Sequence, residues 1–442
     1  MIKKQFRRTR RHLLSMRKWK LRLAFWSSAT LIGLAAAAFA MFSNHADHFY
    51  HSLYKESPWL ALTLTPVGLA LIAYITKRFF PGTEGSGIPQ AVAALSIKEK
   101  HLRARVLSIR IAIGKIFLTT AGLMCGASIG REGPTVHIGA AIMYSFRHAF
   151  PIRGQHAFRA MILAGGAAGI SAAFNTPLAG IIFAIEEMSR SYEHRTSGTL
   201  LIAVVISGLT ALIILGNYTY FGSTDVSLPD ATAWLAVLIC GVAGGLLGGS
   251  FSTLLIFGQR RILPLLTSQP VLLAFGCGLL LSFIGWLSDG QTYGTGYEEA
   301  KLLVTGSVAS EDINTAFPFL KLLATTISYW SGIPGGIFAP SLAVGAGMGA
   351  DFAHWIPVVP LSAWAILGMA GYFTGVVQTP ITALVIIMEM TNNPSMLLPI
   401  MATALIANVI SRQICTKPIY QTLAESFIEN LYRTEADKKA KT

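Results

Sequence analysis

The sequence reads as an all-α polytopic membrane protein whose helices are broken and whose chain falls into two repeated halves. Three observations carry that reading. The 442 residues are 53% hydrophobic and only 13% charged, against about a quarter charged in soluble domains, and mean hydropathy is +0.55. Long charge-free runs recur along the chain. Gly/Pro clusters interrupt those runs at matching places in the two halves. A transmembrane barrel would show alternating segments of about ten residues instead; none are present. Disorder, coiled coil and a soluble nucleic-acid-binding domain are excluded by the same composition.

The net charge of +14 is mostly local. Ten Lys/Arg and no acid fall within residues 1–22. Such a basic flank before a span is topogenic and stays on the cytoplasmic side, where it can touch anionic lipid; no reader fold accompanies it, so no nucleic-acid partner is expected. Leu23 to Ser43 is uncharged and longer than a signal-peptide core, so it reads as a retained first span. Further uncharged runs follow at 57–76, 160–185, 196–224, 231–259, 262–288, 322–350, 352–388 and 390–411, most of them long enough for the ~20 residues a crossing helix needs. The polar, turn-rich stretch at Gly216 to Pro229 divides the chain. The organisation expected is thus a basic segment 1–22, a first membrane repeat 23–215, a linker 216–230, a second repeat 231–420 and a short cytoplasmic tail 421–442. Asn217-Tyr218-Thr219 matches a glycosylation sequon, a pattern short enough to arise by chance. Cys125, Cys240, Cys277 and Cys415 are far apart, which fits buried thiols and supports neither a disulfide framework nor a metal site.

The repeat is visible in spacing. Gly130-xxx-Pro134-xxxx-Gly139 recurs as Gly336-xxx-Pro340-xxxx-Gly345, and Thr176-Pro177, ending in Ile185-Glu186-Glu187-Met188, as Thr379-Pro380, ending in Met388-Glu389-Met390. Matched broken segments in two halves point to a transport site at their interface. Irregular backbone at membrane depth is tolerated only where protein or water satisfies it.

Three Gly/Pro clusters carry chemistry. Gly130-Arg131-Glu132-Gly133-Pro134 precedes a helical pattern, and a helix start with exposed amides binds anions. A carboxylate placed there fills the site itself; protonation releases it and admits an inorganic anion, so Glu132 can serve as gate and proton carrier together. The plainer alternative is a capping Glu paired with Arg131, but an acid inside a membrane segment is a functional candidate by default. Gly85-Ser86-Gly87-Ile88-Pro89 offers a hydroxyl beside backbone amides, which suits an anion held without full charge; alone, it reads equally as an ordinary Ser cap. Gly336-Ile337-Phe338-Ala339-Pro340 repeats the Glu132 motif without its acid, and its amides at Ile337 and Phe338 can face an anion; for Phe338 alone, core packing is the alternative. Glu186-Glu187 closes an uncharged run, either facing water or relaying protons. Tyr420, after Lys417-Pro418, can donate its phenol to an anion or simply mark the membrane interface.

Taken together, GSGIP at 85–89, GREGP at 130–134 and GIFAP at 336–340 resemble the CLC family of chloride channels and chloride/proton antiporters, in order and spacing over nearly the whole chain. The resemblance implies inverted repeat halves with re-entrant helices. It implies that Ser86, with the neighbouring Gly87, and Tyr420 hold a central chloride, together with amides of Ile337 and Phe338. Backbone around Gly130, Arg131 and Gly133 completes the anion site. Glu132 is then the external gate, and Glu187 the internal proton-transfer acid of the antiporter branch. Ser86 favours chloride, since nitrate-preferring relatives carry Pro there and the fluoride branch departs at this motif. The resemblance also implies a homodimer in the lipid bilayer and no metal or organic cofactor. The short tail leaves no room for nucleotide-binding CBS domains, which resembles the bacterial form, and the bacterial inner (plasma) membrane is the expected location. One departure concerns coupling: well-studied bacterial exchangers are acidic just beyond GSGIP, whereas this chain has Gln90-Ala91-Val92. The reading is a chloride/proton antiporter. Its nearest rival is a passive voltage- or pH-gated chloride channel. A remote rival is an intramembrane serine hydrolase, since Gly126-Ala127-Ser128-Ile129-Gly130 fits G-x-S-x-G with His137 nearby; a nucleophile elbow, however, needs a strand–turn–helix setting.

Overall fold

A computed structural model of the chain describes residues 16–148, 154–190, 197–216, 219–307 and 314–441. The basic residues Lys3 to Arg11 of the N-terminal segment and Asn217-Tyr218 of the sequon lie outside them. The first half comprises α1 (Met16–Glu56), α2 (Pro58–Phe79), α3 (Ile88–Ser96), α4 (Lys100–Val106), α5 (Ile109–Met124), α6 (Glu132–Ser145), α7 (Gln155–Phe174), α8 (Pro177–Phe183) and α9 (Ser197–Leu215). The second comprises α10 (Trp234–Ser268), α11 (Pro270–Leu287), α12 (Tyr297–Thr305), α13 (Phe317–Trp330), α14 (Phe338–Trp355), α15 (Leu361–Val377), α16 (Pro380–Thr391), α17 (Leu397–Ile414) and α18 (Ile419–Lys441). Among the described residues, eight helices are long and apolar enough to cross a membrane.

Several of the other helices, α3 and α8 above all, are too short to cross. At 1.5 Å per residue, the nine residues of α3 span about 14 Å. Its start follows from sequence: Gly87 takes φ +102° as N-cap and Pro89 stands in the first turn, where a missing N–H costs nothing. The expected uncharged run 322–350 is two helices, α13 and α14, separated at Gly332-Ile333-Pro334-Gly335-Gly336. The first span, by contrast, outruns the expected boundary at Ser43. It continues to Glu56, because polar residues beyond Ser43 find partners inside the protein.

The repeat is exact in its turns. α7 ends on Asn175 (φ +58°) and α15 on Gln378 (φ +57°), each in the left-handed conformation, and each is followed by Thr-Pro and a short helix. Helix crossings repeat as well. A Cβ added at Gly165 would stand 2.5 Å from the Gly139 carbonyl oxygen, and one at Gly345 would stand 2.7 Å from that of Gly368. Small residues at these crossings let membrane helices approach at backbone distance.

Candidate functional site

The three Gly/Pro clusters meet at one place, sewn together by main-chain hydrogen bonds. Gly85 N–H donates to the Ile333 carbonyl at 3.2 Å, and Gly335 N–H to the Gly85 carbonyl at 3.2 Å. Gly130 and Gly336 exchange a reciprocal pair at 2.7 Å each. This seam brings the N-termini of α3, α6 and α14, whose first residues are Ile88, Glu132 and Phe338, to a common centre. Aligned amides of this kind form an anion cradle.

Two hydroxyls enter the cradle. Ser86 and Tyr420 are buried, and neither Oγ nor the phenol has a hydrogen-bond partner in the protein. They face one another without reaching hydrogen-bonding geometry. Leaving a buried donor unsatisfied costs about 1–3 kcal/mol, so a pair of them facing one cradle marks a ligand position. The Phe338 ring lies nearly parallel to Tyr420, with centroids 6.0 Å apart and planes at 23°, and it also packs against Phe174, Phe183 and Phe373. Both readings of Phe338 therefore hold: its ring is core, and its backbone opens α14 at the cradle.

Glu132 is fully buried. Its carboxylate faces the Ala339 amide on the first turn of α14. Oε1 accepts a hydrogen bond from the Tyr220 hydroxyl at 3.1 Å and stands 4.0 Å from Arg131 Nε. Arg131 is itself anchored to α1, donating through Nη1 to the Ala40 carbonyl at 2.9 Å and to Asn44 Oδ1 at 2.6 Å. An acid of the first half thus lies at a helix start of the second. Tyr220 escaped the sequence reading, which treats 216–230 as a linker. It is buried, packs on Phe174 and Tyr297 and is overhung by the Arg131 guanidinium. The only hint of this was an aromatic pair, Tyr220-Phe221, inside a polar stretch.

Glu186 and Glu187 separate cleanly. Residues Ala184–Ser189 form a π-helix continuing α8. Glu186 accepts the Ile381 and Thr382 amides at 3.2 and 2.6 Å, capping α16. Glu389 returns the arrangement, accepting the Leu178 and Ala179 amides at 3.2 and 2.7 Å and so capping α8. Glu187 is buried, and neither of its carboxylate oxygens has a hydrogen-bond partner. The Tyr420 hydroxyl lies within electrostatic reach of both Glu132 and Glu187. Past the Ser86 loop, Gln90 Nε2 donates to the Glu84 carbonyl at 2.7 Å and Lys115 Nζ to the Gly85 carbonyl at 2.8 Å. Ser128 Oγ is 3.0 Å from Thr325 Oγ1, and His137 Nε2 is 3.0 Å from the Val106 carbonyl; each is committed to a neighbour other than the expected dyad partner.

A broken-helix membrane protein with a buried anion cradle at the joint of two repeats is, by fold and site, a member of the ion-transporting class. Residues 68–412 match the family described as voltage gated chloride channel, and the chain belongs to that family. It is 32% identical to the H(+)/Cl(-) exchange transporter ClcA of Vibrio vulnificus (strain YJ016), over 91% of this chain and 89% of that one. It is 30% identical to the H(+)/Cl(-) exchange transporter ClcA of Vibrio cholerae serotype O1 (strain M66-2), over 84% and 81%. Among solved structures, that of a slow cyanobacterial Cl-/H+ antiporter matches with a TM-score of 0.77 at 27% identity, covering 92% of this chain and 97% of the other. A CLC-type fluoride/proton antiporter shares the fold, with a TM-score of 0.75 at 23% identity over 91% and 98%.

Proposed function

We propose that this integral membrane protein is a secondary active transporter exchanging chloride for protons. The observation that carries the reading is the position of two buried acids, Glu132 and Glu187, each within electrostatic reach of Tyr420, a phenol that faces Ser86. A channel needs the cradle but not the second acid.

In this cycle chloride is held by the Ser86 and Tyr420 hydroxyls and by the amides at Gly87, Ile337 and Phe338. Helix starts and unpaired hydroxyls bind it without a full countercharge, so it can leave again. Glu132 competes for the anion position near the backbone of Gly130, Arg131 and Gly133. As a carboxylate it fills the position; as an acid it swings out, and Tyr220 and Arg131 favour its charged form when it returns. Glu187 hands the proton to the cytoplasmic side. The basic N-terminal segment supports a cytoplasmic N-terminus, and we assign the protein to the bacterial inner membrane. Apolar side chains exposed on α9 (Leu201, Val205, Leu209, Ile213) and α17 (Leu398, Leu405, Val409) need lipid or a second copy of the chain, and we assign them to a homodimer.

The test is reconstitution into sealed liposomes under a chloride gradient, with membrane potential clamped near zero and external pH recorded. Protons driven against their own gradient establish exchange. Chloride flux without coupled proton movement would replace this reading with a channel.

A further inference from the structure

The second half contains its own copy of the Ser86 loop. Gly294-Thr295-Gly296 precedes α12 as Gly85-Ser86-Gly87 precedes α3. The backbones agree: φ is +66° and +102° at Gly85 and Gly87, and +65° and +74° at Gly294 and Gly296. Each loop rests on a fully buried lysine. Lys115 Nζ donates to the Gly85 carbonyl at 2.8 Å, and Lys321 Nζ to the Gly294 carbonyl at 3.0 Å, as well as to those of Thr292 and Tyr293. A Cβ built on Gly87 would meet Lys115 Cε at 3.3 Å; one built on Gly296 would meet Lys321 Cε at 2.9 Å.

The loops differ in what the hydroxyl meets. Ser86 Oγ has no partner. Thr295, 7% exposed, donates to Asp47 Oδ2 at 3.3 Å. The other Asp47 oxygen lies against Gly294, has no hydrogen-bond partner and is 3.7 Å from His51 Nδ1. Glu299 lies within electrostatic range of Lys321, His51 and Asp47, and Glu298 in the same turn points to the exterior.

We propose that the Gly294–Gly296 loop is a second site for a small monovalent inorganic anion of the chloride kind, and that the Asp47 carboxylate is its built-in occupant. The Thr295 hydroxyl and the Glu298 and Glu299 amides of the first turn of α12 supply the donors, the Tyr297 amide being committed to Thr295 Oγ1 at 3.2 Å. Lys321, its three N–H groups committed to carbonyls, supplies charge from behind. With the Asp47 charge removed, Lys321 is opposed by Glu299 alone, with His51 alongside, and a mobile anion takes the carboxylate's place. Asn44, three residues before Asp47 on the same face of α1, holds Arg131, so this site lies on the Arg131 side of Glu132.

The inference rests on the reading of Ser86 as an anion ligand, and the test separates the two. Crystals of the full chain and of the Asp47→Asn and Asp47→Ala variants are soaked in bromide, and anomalous difference peaks are compared. Expected is a peak within hydrogen-bonding distance of Thr295 Oγ1 in the variants, absent from the parent protein and lost again in Asp47→Ala/Thr295→Val. A peak beside Ser86 reports on the central site independently. Absence of the Thr295 peak from both single variants overturns the inference, whatever the central site shows. A peak that survives Thr295→Val overturns the assigned cradle.

Discussion

The two halves share a scaffold and divide the chemistry. Glu132 opens α6 where Phe338 opens α14, and Glu187 stands where the second half has the buried Met390. Glu186 and Glu389, in contrast, are true equivalents and do the same work, each capping a short helix of the other half. The local helix differs as well. In the first half the segment Ala184–Ser189 is wound as a π-helix; in the second the equivalent residues stay α-helical to the end of α16 at Thr391. π-helical turns inside α-helices frequently mark functional sites. The lesson is that a duplicated fold can hold an asymmetric pathway by changing side chains at two positions and the winding at one.

Erasing the asymmetry at the gate should have the largest effect. Glu132→Gln fixes the gate in the form that mimics its protonated state. Proton movement in the liposome assay should fall to background while chloride flux persists; retained uphill proton transport would remove Glu132 from the pathway. Next is Glu187→Met, which gives the first half the residue of the second. It should abolish proton coupling with chloride flux kept within a few-fold of the parent, and full coupling in that variant would mean that the inner acid lies elsewhere.

A smaller effect is expected where the halves agree. Glu186→Ala and Glu389→Ala each remove a cap, a loss of about 1 kcal/mol by the usual measure of capping residues. Thermal unfolding in detergent should drop by similar amounts for the two, with the proton-to-chloride ratio unchanged. Unequal losses would break the equivalence.

The smallest effect lies outside the membrane-spanning segments, where the first half has a partner that the second lacks. The Tyr432 hydroxyl on α18 donates to Glu99 before α4, and Arg105 and Glu435 stand 3.8 Å apart nearby. The Tyr432 hydrogen bond holds the exposed Glu99 carboxyl below its ordinary range. A depressed acid contributes its stabilisation above its ordinary value and loses it as pH falls through the lowered one. Docking of the α18 end should therefore be intact at neutral pH and loosen only below about pH 4.5, the ordinary range of a glutamate. Hydrogen exchange across residues 425–436 reads this directly, and Tyr432→Phe should raise exchange at pH 7 to the acid-state level.

Much of this was legible in the sequence because it is encoded locally. Gly87 and Pro89 set the start of α3 within a few residues, and the Thr-Pro steps after Asn175 and Gln378 announce the short helices. The three clusters, read as one constellation, do meet, with Glu132 buried beside their seam. What escaped depends on contacts far apart in the chain. Tyr220 reaches Glu132 across 88 positions, and nothing in a polar, turn-rich stretch signals burial. Glu186 and Glu187 are chemically alike, and only the packing of α8 against α16 shows which one caps a helix and which is buried. The extension of α1 past Ser43 was hidden because Asn44 and Asp47 look like surface residues until Arg131 and Thr295 are brought to them.

The seam at the centre is made of main chain. Gly85, Gly130, Ile333, Gly335 and Gly336 join through N–H and carbonyl groups that every residue except proline possesses. Side-chain changes elsewhere therefore leave the groups that make this joint in place. It also means that neither half owns the cradle. A half folded alone would leave the seam's N–H and carbonyl groups unpaired at membrane depth, so the two halves must form as one folding unit.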